Sequence, residues 1–236
     1  MDLNLKIKDL SFRQLETIKF KCLDCDYWFD YDEHNFFKEL AGVRSFLELE
    51  GLFKGKLFKK NSSKMDKNKR SKIIAFKMHG GKVKAAFAGK SCVGIILAGN
   101  YYLFPRLRSF NVFPPDFESI FLGCIYVIPE YKGMKVGGRL LIEVEKELIK
   151  EKVKSIESIG KRLDDNMDEE EYENSPLIPF KFLIKNGFHL KKNDPLYPLL
   201  RLDLKNIALG FARSRVLVGK MVLEKEAGSS LIVKNK

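Results

Sequence analysis

Three glycines stand between an apolar segment and an amphipathic one, an order that is typical of an anion-binding turn. They are Gly133, Gly137 and Gly138. The preceding segment, 120–128, is rich in aromatic and β-branched residues, which predicts a strand. Residues 141–148 repeat apolar side chains at helical spacing, with charged residues between them. A helix that begins directly after glycines leaves N–H groups unpaired in its first turn, so the sequence predicts a phosphate site there.

Two better-known glycine loops are excluded by spacing. A dinucleotide fingerprint requires G-x-G-x-x-G, whereas these glycines follow G-x-x-x-G-G. A P-loop requires G-x-x-x-x-G-K-[ST], whereas Gly138 is followed by Arg139 and Leu140. The remaining alternative to a phosphate site is a strand-to-helix connection that binds nothing.

The turn resembles the pyrophosphate-binding motif of the GNAT superfamily of N-acetyltransferases, Q/R-x-x-G-x-G/A. The matching residues are Lys132, Gly133, Met134, Lys135, Val136 and Gly137. In that family a V-x-P strand end precedes the motif, as residues 127–129 do here. An F-Y-x-K-x-G-F segment lies downstream, and residues 182–188 resemble it. The resemblance covers roughly residues 83–204.

This sequence departs from the family pattern at three positions. Lys132 stands where glutamine or arginine is usual, and Lys135 stands where the first glycine is usual. Leu183 occupies the place of a tyrosine that often protonates the departing thiolate. The first two departures reshape the turn, and the third leaves the general acid unassigned.

The order of elements predicts an α/β chain with a mixed central sheet and helices on both faces, which agrees with the acyl-CoA N-acyltransferase (GNAT) fold. The predicted strands are 4–8, 82–87, 91–98, 120–128, 155–159, 188–192 and 198–204. The predicted helices begin at Ser11 and near Phe36, follow the glycine turn, and cover 177–186. Residues 1–204 are expected to form the GNAT-type domain, with a basic insert at about 54–72. Residues 205–236 are an extension of unknown role.

The resemblance implies that acetyl-CoA is the co-substrate. The strand would hold the pantetheine arm and supply N–H groups to the oxyanion, and the turn would hold the pyrophosphate. The residues assigned to the cofactor are Ile125, Tyr126, Val127, Lys132, Gly133, Met134, Lys135, Val136, Gly137 and Gly138. Gly137 is expected where the backbone approaches the pyrophosphate, with room at this helix start for a glutamate side chain.

The expected reaction is acetyl transfer to an amine, a small molecule or a protein, by direct attack on the thioester. Glu118, just ahead of the strand, is the first candidate for the base, and Asp116 is the second; a solvated loop carboxylate is the alternative for Glu118. Without the usual tyrosine, Tyr126, Cys124 or water must protonate the thiolate. Tyr126 and Cys124 are two positions apart and therefore share one face of the strand. The missing tyrosine leaves open a non-catalytic acyl-CoA-binding sensor or interaction module.

Cys22, Cys25 and Trp28 lie near the end of a predicted N-terminal helix. Ser11 and Gln14 form a capping box at its start. The resemblance places these three residues on the acceptor side of the cleft as substrate-binding candidates, and a buried packing cluster is the alternative. No metal is expected, because the C-x-x-C has no second pair of ligands at zinc spacing.

The net charge of +12 comes largely from one segment. Residues 54–72 contain nine Lys or Arg against the single Asp66, which favours a solvated, mobile loop. Nucleic-acid binding is the weaker hypothesis, since no aromatic residues interleave the lysines. The acidic segment 164–173 is a second solvated loop, or one that attracts a cationic amine.

The overall composition favours a globular protein. No apolar run approaches the roughly 20 residues needed to span a bilayer, so no membrane partner is expected. The first residues lack the apolar core of a secretion signal. A cytoplasmic location is the default expectation, and a homodimer is compatible with the sequence.

Overall fold

The structure is a computed structural model that describes residues 4–29, 67–163, 172 and 175–205. The strands are β1 (Leu5–Asp9), β2 (Lys82–Ala88), β3 (Ser91–Asn100), β4 (Ser119–Val127), β5 (Ser155–Lys161), β6 (Ile178–Pro179), β7 (His189–Lys192) and β8 (Leu199–Asp203). The α-helices are α1 (Phe12–Thr17), α2 (Lys67–Met78), α3 (Val136–Lys150) and α4 (Phe180–Lys185). Short 3₁₀ helices cover Lys21–Asp24, Tyr101–Leu103, Pro105–Ser109 and Pro129–Tyr131.

The strands form one mixed sheet in the order β1-β2-β3-β4-β5-β8-β7, with β6 paired to β5. Neighbours are antiparallel except β4–β5 and β5–β6, which are parallel. Parallel strands need a crossover connection, and α3 supplies it between β4 and β5.

Helices cover both faces of the sheet. On one face, α3 and α4 bury apolar side chains such as Leu140, Leu141 and Leu183 against β3, β4 and β8. On the other face, α1 and α2 bury Leu15 and Ile73 within an aromatic-rich cluster. The predicted mixed sheet with helices on both faces is therefore confirmed.

The first helix has the predicted start and a different end. Ser11 and Gln14 form the capping box, but α1 stops at Thr17 because Ile18 has extended backbone angles. The expected helix through Cys22 is therefore wrong. Arg70 supplies the reason: its guanidinium donates to the carbonyls of Leu15, Glu16 and Ile18, so the end of α1 is satisfied by a side chain instead of a further turn.

The expectation of a solvated loop over 54–72 is wrong at its C-terminal end. Residues 67–72 begin α2, and Arg70 is only 7% exposed. Besides the carbonyls of α1, Arg70 makes a bidentate ion pair with Asp24. Residues 54–66 lie outside the described part of the chain.

The predicted helix over 177–186 is shorter than expected. Residues 178 and 179 instead pair with β5 as β6, and α4 begins at Phe180. The predicted helix near Phe36, residues 206–236, and all of the acidic segment except Tyr172 lie outside the described residues. No helix in the described ranges is long and apolar enough to span a bilayer.

Candidate functional site

The turn between β4 and α3, residues 132–138, will be called the cradle. Two of its residues adopt left-handed backbone conformations, Gly133 (φ 78°) and Lys135 (φ 61°). A side chain at such a position costs roughly 1–2 kcal/mol. A glycine would therefore suit position 135, and Lys135 adopts the left-handed conformation at a cost.

The start of α3 presents unsatisfied N–H groups. Within the described residues, the amide N–H groups of Lys135, Val136, Gly137 and Gly138 donate no hydrogen bond, and Arg139 is the first that does, to the carbonyl of Lys135. Four adjacent donors at a helix N-terminus, where the helix dipole is positive, form a ready site for a phosphate group.

Gly137 does not occupy the open position that the sequence suggested. It is buried, and a Cβ placed on it would lie 3.2 Å from Phe182 Cε2 and 3.4 Å from Ile125 Cγ2. The expectation of an open position that accepts glutamate is therefore wrong, because Gly137 lets α3 approach β4 and α4. Gly138 is half-buried, and its Cβ would meet only Asn186 Oδ1, at an ordinary 3.5 Å.

The strand before the cradle separates from its parallel neighbour. β4 pairs with β5 only from Ser119 to Phe121. At the next residue the Ser158 hydroxyl donates to the Leu122 carbonyl (2.8 Å), and β5 then pairs with β6 instead. The strands thus diverge beyond Leu122, and no strand in the described part of the chain pairs with the rest of β4 on its β5 side; this unpaired edge will be called the gap.

The point of divergence coincides with a bulge in β4. On β3, Leu97 pairs with Cys124 and Ala98 with Leu122, so Gly123 is an extra residue in β4. A bulge bends and twists a strand locally. The bend therefore begins where β4 leaves β5.

The residues beside the gap divide between the two faces of β4. Ile125 and Val127 pack with the α3 and α4 cluster, beneath the cradle. Cys124 and Tyr126 pack on the opposite face with the N-terminal segment, as their spacing predicted. The Cys22 and Cys124 sulfur atoms are 3.8 Å apart, and the Phe20 ring meets the Tyr126 ring edge-on at 5.6 Å.

Two titratable groups on this face stay protonated near neutral pH. Burial raises the pKa of Tyr126, and the neighbouring Cys22 raises it further. The pKa of Cys22 is raised by its hydrogen bond with Cys124 and by burial. Tyr126 can therefore serve as a proton donor.

The N-terminal candidates for substrate binding occupy different environments. Trp28 (4% exposed) and Cys22 (8% exposed) lie in the core, whereas Cys25 is half-buried. Rings of Phe104, Phe110 and other aromatic residues surround Trp28. The burial of Cys22 and Trp28 favours the packing alternative for both.

The two carboxylates considered for the base lie at the other end of β4. Glu118 accepts a hydrogen bond from Lys154 Nζ (2.7 Å), and Asp116 accepts one from Arg201 (3.0 Å). At about 3.3 Å per residue, Glu118 is roughly 25 Å along the strand from Tyr126. The structure does not bring Glu118 or Asp116 together with the cradle, Tyr126 and Cys124.

Sequence reasoning missed two contributions to the site. Asn186, in the segment after α4, lies beside the cradle, and its amide is fixed by donating to the Phe182 carbonyl (2.8 Å). Trp28 donates from Nε1 to the carbonyl of Gly123 (2.6 Å). The first could have been found in the FLIKNGF segment, whereas the second depends on a contact between distant parts of the chain.

No metal centre is apparent among the residues that the structure describes, since no group of three or more His, Cys, Asp or Glu is arranged to hold an ion. All four cysteines are free thiols. The prediction that Cys22 and Cys25 bind no zinc stays a prediction, and elemental analysis of the purified protein tests it.

No protein-family model and no curated protein matches this sequence. Solved structures do resemble it. The PaiA N-acetyltransferase from Thermoplasma acidophilum in complex with coenzyme A is 19% identical, with 85% of this chain and 99% of that chain covered and a TM-score of 0.47. An acetyltransferase from Thermus thermophilus is 12% identical, with 86% and 98% covered and a TM-score of 0.45.

A third similar structure is a GNAT-family acetyltransferase from Staphylococcus aureus Mu50. It is 14% identical, with 85% of this chain and 99% of that chain covered and a TM-score of 0.43. Because all three TM-scores are below 0.5, the functional assignment of this chain rests on its own residues.

Proposed function

We propose that this chain is a GNAT-type N-acetyltransferase that binds acetyl-CoA at the cradle and transfers the acetyl group to an amine. One observation carries the proposal: unsatisfied N–H groups at the start of α3 follow the same strand that separates from its parallel neighbour. A ligand with a phosphate group at one end and an extended chain behind it matches that arrangement.

The cradle and β4 bind different parts of acetyl-CoA. The N–H groups from Lys135 to Gly138 bind the pyrophosphate. The exposed Lys132 and the side chain of Lys135 add positive charge around it. The pantetheine arm lies along Ile125 to Val127, and backbone N–H groups of this stretch stabilise the oxyanion that forms on the thioester carbon.

The transfer itself requires a neutral amine and a protonated leaving group. The amine nitrogen attacks the thioester carbon, the tetrahedral adduct collapses, and the C–S bond breaks. Tyr126 donates its phenolic proton to the departing sulfur, with Cys124 as the second candidate. Glu118 is too distant for direct proton abstraction, so the amine gives up its proton to water, and a proton from the solvent restores the Tyr126 phenol.

Binding of the donor can be tested with a charge placed at the cradle. Gly138→Glu sets a carboxylate against the pyrophosphate, and Gly138→Gln adds almost the same volume without charge. We expect the glutamate variant to bind acetyl-CoA at least tenfold more weakly than the glutamine variant, about 1.4 kcal/mol, by calorimetry. Thermal unfolding without ligand should change little in either variant, because a Cβ at Gly138 makes only ordinary contact.

The controls separate phosphate binding from a general loss of affinity. A pantetheine thioester without the pyrophosphate should bind both variants equally, and NAD should not bind the parent. Equal acetyl-CoA affinity in the two variants would show that the cradle is only a connection. Mass detection of acetylated products from a pooled amine library then tests turnover.

A non-catalytic acyl-CoA-binding protein is the second candidate. The observation that favours it is Leu183, which stands at the tyrosine position of the resembling motif and is fully buried, so this position supplies no proton. Both candidates require acetyl-CoA binding, and only the first forms an acetylated amine. Tyr126→Phe distinguishes them further, since it should lower turnover without affecting donor binding.

A further inference from the structure

A buried hydrogen bond joins the N-terminal segment to the backbone of β4. Trp28 Nε1 donates to the Gly123 carbonyl at 2.6 Å, a short distance for an N–H donor. Both groups are buried. This bond joins two residues that are 95 positions apart in the sequence.

The acceptor of this bond is the bulged residue of β4. Gly123 lies between the last residues that pair with β5 and the stretch beside the gap. A Cβ on Gly123 would lie only 2.4 Å from the Phe104 ring. Glycine is therefore required by close packing, and its backbone is free to adopt several conformations unless a partner fixes it.

The bond from Trp28 fixes the orientation of the next peptide group. In a planar trans peptide the carbonyl of one residue and the N–H of the next point in opposite directions. Holding the Gly123 carbonyl toward Trp28 therefore directs the Cys124 N–H away from Trp28. The same peptide group sets the direction in which β4 continues past the gap.

We infer that Trp28 is a positioning residue for the transfer reaction: it orients the Gly123–Cys124 peptide group so that the following β4 backbone presents its N–H groups to the thioester. This inference rests on the proposed function. The cradle lies on the other face of β4, against α3 and α4, so the loss of the Trp28 bond should affect turnover far more than donor binding.

Packing alone would not require the indole N–H. The rings of Phe104, Phe110 and Phe121 contact Trp28 with centroid distances of 5.3–5.9 Å, whether or not the N–H has a partner. Removing only the donor leaves a buried carbonyl unsatisfied, which costs roughly 1–3 kcal/mol of stability. A change in stability therefore cannot separate the two roles, and the test must compare turnover with donor affinity.

Trp28 is the single tryptophan of the chain, which allows an isosteric test. Biosynthetic replacement of tryptophan by 3-benzothienylalanine puts sulfur in place of the N–H and keeps the bicyclic ring. Trp28→Phe removes the same donor with a smaller ring. The matched control is Phe110→Leu, which removes a ring contact to Trp28 at 5.9 Å and leaves the hydrogen bond.

We expect the benzothienyl protein to lose at least tenfold in kcat while its Kd for acetyl-CoA stays within about threefold of the parent value. Trp28→Phe should behave in the same way, and Phe110→Leu should lower the melting temperature with kcat nearly unchanged. Hydrogen exchange of β4 peptides should increase around Gly123 and Cys124 in the two proteins that lack the indole N–H.

Each other result overturns the inference. Unchanged kcat in the benzothienyl protein, or a loss no larger than that of Phe110→Leu, refutes the role of Trp28 and leaves the proposed function intact. Parallel losses of kcat and acetyl-CoA affinity show that Trp28 only supports the fold. A parent protein that binds acetyl-CoA and acetylates no amine refutes the proposed function, and this inference with it.

Discussion

At its N-terminal end, β4 is surrounded by side chains that satisfy one another. Glu157 is fully buried, and its carboxylate accepts hydrogen bonds from the Asp116 amide, the Ser119 hydroxyl, Lys191 and Arg201. Burying a carboxylate is tolerable only with such a complete set of donors. This end of the strand is closed, and a ligand would have to displace existing partners.

At its C-terminal end, the same strand leads to donors without partners in the described part of the chain. The cradle N–H groups from Lys135 to Gly138 are unsatisfied, and β4 has lost its neighbour β5. Residues 125–127 are half-buried, whereas Phe121 and Leu122 are fully buried. The N–H groups at this end are therefore available to a ligand.

The difference shows which polar groups of this sheet hold the fold and which are available for function. Ionisable residues are denser at the closed end, so counting charged residues along the sequence points to the wrong end of β4. The open end is identified by unsatisfied backbone N–H groups. Their positions depend on the path of the backbone and not on the types of side chain. Four predictions test this division.

The largest effect should come from Glu157. Glu157→Gln keeps the shape of the side chain and removes the charge that Lys191 and Arg201 share. Leaving buried or half-buried cations without this partner should lower the free energy of unfolding by about 3–5 kcal/mol, measured by urea denaturation. The matched control, Glu143→Gln, removes an exposed ion pair with Lys146 and should cost less than about 0.5 kcal/mol.

The acetyl-CoA affinity of folded Glu157→Gln protein should equal that of the parent. A tenfold loss of affinity at a temperature where the variant is folded would show that the two ends of β4 are coupled. The division between a structural end and a functional end would then be wrong.

The second-largest effect should come from Gly137. This residue is part of the cradle in the sequence, but it is buried in the core. Gly137→Glu forces a side chain against Phe182 and Ile125, and overpacking of this kind costs about 1–3 kcal/mol. Thermal unfolding should therefore detect the change without any ligand. A melting temperature equal to that of Gly138→Gln would show that position 137 is open after all.

Most elements could be predicted because their patterns are local. The apolar repeat of Leu141, Val144 and Leu148 marks the buried face of α3, and all three are fully buried. The capping box at Ser11 and Gln14 needs only four residues. The strand β4, the cradle and the helix α3 are consecutive in the sequence, so their order alone indicates the site.

The remainder could not be predicted because it depends on contacts between distant segments. Arg70 stands in a lysine-rich stretch that looks solvated, yet its partner Asp24 lies 46 positions earlier. The bulge at Gly123 exists only in the register with β3. Glu118 is a different case, because it precedes β4 and the cradle follows it, so the length of the strand alone separates the two.

A smaller effect is expected at the two ends of α3, where lysines occupy left-handed positions. Lys135 precedes the helix (φ 61°), and Lys152 follows it (φ 60°). Replacing either by glycine should stabilise the protein by about 1 kcal/mol, since glycine adopts this conformation without strain. Thermal unfolding measures the gain, and Lys152→Gly is the control that lies away from the cradle.

Only one of these lysine variants should affect the ligand. Lys135→Gly removes a charge beside the pyrophosphate and should weaken acetyl-CoA binding, whereas Lys152→Gly should not. Equal affinities in both variants would show that the cradle acts through its backbone alone. A loss of stability in both would contradict the backbone argument.

The smallest effect should be the pH dependence that Asp116 gives to the closed end of β4. The Glu118 amide and Arg201 hold the pKa of the Asp116 carboxyl below its ordinary value of 3.8. Because the folded-state pKa is the lower one, the stabilisation by the ionised carboxylate is complete above the ordinary value of 3.8 and is lost as the pH falls from there through the folded-state pKa. Asp116→Asn should therefore flatten the decline of the melting temperature as the pH falls below about 4, and it should lower the melting temperature slightly at neutral pH. Asp194, whose pKa is lowered by the Tyr197 amide in the loop before β8, provides the same test at a separate place. The effects of Asp116→Asn and Asp194→Asn should add, since the two carboxylates share no hydrogen-bond partner among the described residues. If Asp116→Asn declines as steeply as the parent in acid, the carboxylate contributes nothing to the closed end, and Glu157 with its donors must hold that end alone.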